Sequence, residues 1–268
     1  MSELTKEQIK GPDKFQKFSK SLIDWIQKNS KGVMGAAIAF MVLGVAYAGY
    51  DLYRERVEDK ARVALYKAQK LQDDIARQEQ EAKQKEEEAK AAADKAAKDK
   101  KAKAAATPAP APVDVAGLKA SALKAYGDVI RDYPGTAASH IAVLQSSQVL
   151  LDEKKTDEAV QLFEKNKEPS RGQSLLLGAY LSQKGKVLAQ KGDCESAVRE
   201  WERVINNPNL SIWHGDSLVK AGVCYEKLNK KDKAVELYKK AVASHGETDA
   251  GRAAKKFLIL AERPQPKG

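Results

Sequence analysis

The side chains best suited to chemistry in this chain are two cysteines and three histidines. Cys194 and Cys224 stand symmetrically about residue 209, within the turn-forming pair Pro208-Asn209. Two antiparallel helices folded about that turn bring the two positions level. A disulfide needs Cα atoms within about 7 Å and suitably directed Cβ atoms. The other reading of the pair is two buried thiols acting as small apolar side chains. A bridge would place that part of the chain in an oxidising compartment. His140, His214 and His245 are far apart, sit at repeat positions without partners, and lack metal-ligand spacing. The chain has no Gly-rich phosphate loop, no Gly-x-Ser-x-Gly elbow and no His-Glu-x-x-His motif. Its carboxylates are spaced as surface pairs on helices. The sequence therefore reads as a non-enzyme, with no catalytic residue, metal or cofactor expected.

The elements that position these residues are helical. Ala, Lys and Glu dominate and aromatics make up 6% of the chain, which favours helix over sheet. The net charge of +10 is spread along the chain with acids interleaved, so no basic face for nucleic acid is expected. In residues 114–268 the sequence repeats itself. Ala122, Ala159, Ala197 and Ala234 are 37, 38 and 37 residues apart. Four positions after each stands a ring: Tyr126, Phe163, Trp201 and Tyr238. Seven positions after stand Val129, Asn166, Val204 and Ala241. Gly185 and Gly222 lie twelve before the last two alanines, and Ser147 holds the matching place in the unit before them. Pro134-Gly135, Pro169, Pro208-Asn209 and His245-Gly246 mark unit ends.

Ahead of the repeats, Gly32–Tyr50 is an uncharged run of nineteen residues, long enough to cross a bilayer as a helix. Ala46-Tyr47-Ala48 could be a signal cleavage site, but the leading segment is long and amphipathic, so a retained anchor is the favoured reading. Phe15, Phe18, Leu22, Trp25 and Ile26 recur at helical spacing before it, with lysines mostly off that stripe, as in a helix lying at a membrane interface; the other reading is a simple extension of the span. The flanks carry five lysines before the run and six Lys or Arg after it, which does not decide orientation. Residues 51–113 read as a charged helical stalk ending in the proline-rich linker Thr107–Pro112, with 51–70 a candidate first helix of the first repeat. From Gln69 to Ala106 only Leu71 and Ile75 are large and apolar, so residues 69–113 are expected to be a spacer without a core.

The repeat pattern resembles the tetratricopeptide repeat, which pairs two antiparallel helices, A and B, in about 34 residues. The resemblance implies an all-α solenoid of about four units, with residues 248–261 as a capping helix and Trp201 as a core residue. It puts helix A of each unit on the inner curve, carrying Ile141, Leu144, Gln148, Ala179, Ser182, Lys186, Val219, Val223 and Lys227. The Lys/Asn clamp with which some of these proteins hold a C-terminal carboxylate is absent from the matching positions. A groove for extended apolar segments, with Leu144 and Val223 as anchors free of a packing role, is one reading of this face; a merely solvated face is the other.

The order of parts resembles a more particular family. FSKSLIDWIQKNSKGVMGAAIAF, then GYDLYRERVEDKARVALYKAQ, then DVIRDYPGTAASHIAVLQSSQVLLDEKKTDEAVQLFEK is similar to the bacterial ancillary subunit of the Sec translocon. That resemblance implies a single-pass inner-membrane protein. Residues 1–31 would be cytoplasmic, 32–50 would span the membrane, and the 114–268 repeats would be periplasmic. It implies the translocon, periplasmic chaperones and emerging secretory chains as partners. The long stalk departs from the family, and an envelope tether or a Tol-type or cell-division coordinator is the other reading.

Overall fold

The computed structural model describes residues 14–98 and 115–263. The proline-rich stretch Thr107–Pro112 lies outside the described residues. Among the described residues all regular structure is helical. The chain divides into two units, residues 1–56 and 57–268.

In the first unit, α1 (Lys14–Lys28) is followed after a single residue, Asn29, by the start of α2 (Ser30–Lys98). The N-terminal part of α2 is long and apolar enough to cross a membrane, and none of that apolar stretch is buried in the protein. Phe40, Met41, Val45 and Tyr47 are each at least 70% exposed.

The second unit is a stack of helix pairs: α3 (Val115–Asp132), α4 (Ala137–Asp152), α5 (Thr156–Lys165), α6 (Ser174–Lys191), α7 (Cys194–Ile205), α8 (His214–Lys227), α9 (Lys231–His245) and α10 (Asp249–Glu262). A short 3₁₀ helix, Pro208–Trp213, precedes α8. The A/B pairs are α4 with α5, α6 with α7, and α8 with α9. All four repeat alanines are at most 1% exposed, and the four rings at most 4%. The small residue lets helices A and B approach, and the ring fills the gap beside it. A Cβ on Gly185 would meet the Trp201 indole, and one on Gly222 would meet the Tyr238 ring. In the second unit of the repeat, the Ser147 hydroxyl at the same place folds back to donate to the Leu144 carbonyl at 2.7 Å.

The A–B turns repeat as well. Lys154, Gly192 and Asn229, each five residues before a buried alanine, have φ of 61°, 94° and 58°. That left-handed conformation suits Gly and Asn and strains Lys. Thr136, Asp193 and Thr248 cap α4, α7 and α10 by accepting from Ser139, Ser196 and Gly251 amides. Helix α10 packs on α9 and α8, and Phe257 stacks on Tyr238 with ring centroids 5.5 Å apart. It serves as the cap that a solenoid end requires.

The expected spacer needs correction. The first repeat's helix A does not stop at residue 70. Ala61, Leu65, Ala68 and Ile75 of α2 are all buried in one cluster with Ala122, Tyr126 and Val129 of α3. Leu71 packs against the same cluster. The Tyr126 hydroxyl donates to Gln72 Oε1 at 2.5 Å, and Lys119 pairs with Glu79 at 3.1 Å. Beyond residue 70 the apolar contact is made by Leu71 and Ile75, and Gln72 and Glu79 supply the polar remainder. Glu58 reaches the start of α4, accepting from the Ala137 amide at 2.8 Å, where a carboxylate also complements the helix dipole.

Candidate protein-binding face

Helices α4, α6 and α8 carry the nine residues expected on the inner curve. Eight of them line two hollows that share Asp216 and Lys220. Leu144, Gln148, Ala179 and Ser182 line the first, of about 280 Å³, together with Trp213. Lys186, Val219, Val223 and Lys227 line the second, of about 450 Å³, together with Phe257. Ile141 lies apart from both; it is half-buried and packs against the cluster of the first repeat.

Leu144 and Val223 do have packing roles. Leu144 packs against the core of the second repeat, and Val223 against that of the fourth. Val219 is itself a core member, 8% exposed. An apolar residue facing the groove on helix A also touches the next helix, because the superhelix turns only slightly per unit. The apolar floor of the groove is therefore the rim of the core.

Polar groups connect the units across this face. Lys186 Nζ donates to Gln148 Oε1 at 2.8 Å, and Gln148 Nε2 donates to Asp152 at 2.8 Å. Gln183 Nε2 donates to Ser147 Oγ at 3.2 Å. Lys220 pairs with Asp216 at 2.6 Å. Two buried polar atoms in the first hollow, Ser182 Oγ and Trp213 Nε1, have no hydrogen-bond partner among the described residues. Both atoms are shut off from solvent beneath the surface of the hollow.

Trp213 was not among the expected residues. Its indole lies over Gly178 of α6, where a Cβ would collide with the ring. The repeat spacing gave no signal for it: 37 residues separate Ala197 from Ala234, as they do Ala122 from Ala159, and Trp213 closes the 3₁₀ helix between two units.

Cys194, opening α7, and Cys224, late in α8, form a disulfide with Cα atoms 5.2 Å apart. Both are buried, at 4% and 2% exposure, inside the core cluster of the last two repeats. The histidines do have partners. His140 is 4% exposed and meets the Tyr180 ring edge-on at 6.2 Å. Burial holds its pKa below the usual histidine range, with the Glu58 charge opposing. A ring nitrogen of His214 lies 2.9 Å from the Asn207 carbonyl, and His245 packs beneath Gly215. A further hollow of about 280 Å³ lies off this face, between α5 and α7, beside the Lys184–Glu200 ion pair.

Residues 24–220 match the model of a tetratricopeptide repeat-like domain, and residues 216–248 match a tetratricopeptide repeat. No curated protein matches the chain. Two solved structures are similar, described as "Crystal structure of MamA protein" and "Crystal structure of MamA". The first is 19% identical with a TM-score of 0.40, covering 55% of this chain and 78% of that one. The second is 18% identical with a TM-score of 0.39, covering 55% of this chain and 88% of that one. With the small-residue and aromatic register of its stacked helix pairs and a family match spanning most of its length, the chain belongs to the tetratricopeptide repeat-like domain family.

Proposed function

We propose that this protein is a membrane-anchored scaffold that binds other polypeptides and catalyses nothing. The observation that carries the reading is the helix-A face: two adjoining hollows with an apolar floor and lysines at the rim. An extended segment laid along it would cover that apolar surface. The unburied apolar stretch of α2 supports an anchor in the bilayer. The Cys194–Cys224 bridge supports a repeat domain on the oxidising side of that membrane, the periplasmic side in a bacterium.

Within that reading, the resemblance of the order of parts favours an ancillary subunit of the Sec translocon. Residues 1–31 then face the cytoplasm, residues 32–50 cross the inner membrane, and the repeats meet periplasmic chaperones or emerging chains. The tether alternative loses ground because residues 57–79 belong to the repeat stack. What remains of α2 beyond residue 79 is 19 residues, roughly 28 Å of helix, too short to bridge a cell envelope.

The test is photocrosslinking in native membranes from residues 186 and 227, with residue 199 on α7 as a control. Translocon or chaperone adducts from 186 and 227 but not from 199 are expected. Adducts from 199 alone would move binding off this face. Adducts to outer-membrane or division proteins would replace the translocon assignment while leaving the scaffold.

A further inference from the structure

From the two sides of α1 we infer that this helix is a lipid-binding element, seated in the headgroup layer of an anionic leaflet. The inference rests on the anchor reading of α2 and adds a second membrane contact to it. At about 100° per residue, Phe15, Phe18, Leu22, Ile23, Trp25 and Ile26 fall within an arc of roughly 160°. All six are exposed, Phe15 at 74%, Phe18 at 66% and Trp25 at 58%. None of the core clusters of the described residues includes a residue of α1. Six large apolar side chains on one short helix make a patch that water-soluble surfaces rarely carry.

The opposite side says what covers it. Lys17, Lys20, Asp24 and Lys28 share a narrow arc facing away from the apolar one, three cations to one anion. A basic polar face set against an aromatic-rich apolar face suits a surface of anionic headgroups over acyl chains. Ser19, the polar residue within the apolar arc, turns its hydroxyl back to the Phe15 carbonyl at 2.9 Å, so it costs little to bury in lipid. At the other end, the Trp25 carbonyl accepts from both the Asn29 backbone amide at 3.0 Å and the Asn29 side-chain amide at 2.9 Å. Asn29 separates α1 from α2, and the uncharged run begins three residues later at Gly32. A bilayer is therefore already at hand for the apolar face.

The test uses the full chain in nanodiscs, either of phosphatidylcholine with a quarter phosphatidylglycerol or of phosphatidylcholine alone. Single spin labels are placed on cysteines at residues 17, 22, 24, 25 and 38, with the native pair left bridged. In the anionic discs, labels at 22 and 25 should be accessible to oxygen and severalfold less accessible to a water-soluble nickel chelate than labels at 17 and 24. The Lys17→Glu, Lys20→Glu, Lys28→Glu triple variant should lose that protection, and so should neutral discs in part. Equal exposure of all four α1 labels with residue 38 protected overturns the inference and leaves the anchor standing. Exposure of residue 38 overturns the anchor reading itself. Protection from both relaxants at residue 22 would mean that protein, not lipid, covers the face. Protection unchanged in neutral discs and in the triple variant would overturn the anionic preference.

Discussion

Replacing Gly185 by Ala tests the register of the whole solenoid, because the outcome depends on one contact. In an exposed helix the change is favourable by about 1 kcal/mol, since Ala is the better helix former. Here the new Cβ would sit 2.6 Å from Trp201 Nε1 and 2.7 Å from Cε2. The indole is 2% exposed, and Nε1 donates to the Ser182 carbonyl at 3.2 Å, so the ring cannot swing aside without breaking that bond. Overpacking of this kind costs about 1–3 kcal/mol, and orphaning the N–H adds about 1–3 more if the bond is lost. The net expectation is a loss of up to about 2 kcal/mol with the bond kept and about 1–5 kcal/mol with it lost. With Trp201→Ala already in place the obstacle is gone, and the same Gly185→Ala change should stabilise by up to about 1 kcal/mol. Urea unfolding followed by far-UV circular dichroism, on all four members of the cycle, reads the coupling. Gly127→Ala on α3, whose Cβ would meet nothing within 4 Å, is the control and should stabilise. If Gly185→Ala had the same effect in both backgrounds within about 0.5 kcal/mol, the ring would not be where the repeat register puts it.

Reducing the Cys194–Cys224 bridge, which closes a separation of 30 residues, should cost about 3–4 kcal/mol and lower the urea midpoint; an unchanged midpoint, or free thiols in the purified protein, would refute the staple. Ile75→Ala should cost about 2–4 kcal/mol, whereas a change below about 0.5 kcal/mol would return that part of α2 to the role of a spacer. Lys154→Gly should stabilise by roughly 1 kcal/mol by relieving the left-handed strain, and a loss would mean that the Lys side chain is needed in that turn. His140 resists protonation when folded, while the unfolded chain takes up the proton near pH 6.5. Stability should therefore fall as pH drops below about 6.5, and His140→Phe should flatten that slope in urea titrations at pH 7.5 and 5.5.

What the residues made legible was set by contact chemistry. The alanines at 122, 159, 197 and 234 and the rings four residues on interact within one helix pair, so their spacing survives in the sequence. The placement of the nine face residues on α4, α6 and α8 was legible for the same reason, since helix A recurs at a fixed offset. The extent of the first helix A was not, because beyond residue 70 its contacts come from Leu71, Ile75, Gln72 and Glu79 alone, set among charges that also suit a solvated stalk. The packing of Leu144 and Val223 was hidden because groove and core meet at a shared edge, and periodicity cannot divide one apolar side chain between two neighbours. Trp213 lies in the 3₁₀ helix between two units, away from the small-residue and ring positions that carry the register.

The separation between the two halves of the first repeat has a kinetic meaning. Tyr126 reaches back 54 residues to Gln72, whereas Trp201 meets its partner in helix A across 19. Closing a loop nearly three times longer adds roughly 0.9 kcal/mol of chain entropy and raises the contact order of that unit alone. A stacked array can nucleate anywhere and grow by adding neighbours. Residues 137–262 thus form the early template, and the α2–α3 pair docks last, although α2 is made first on the ribosome. That pair is then also the first to open under native conditions, a foldon whose amides should exchange ahead of the rest.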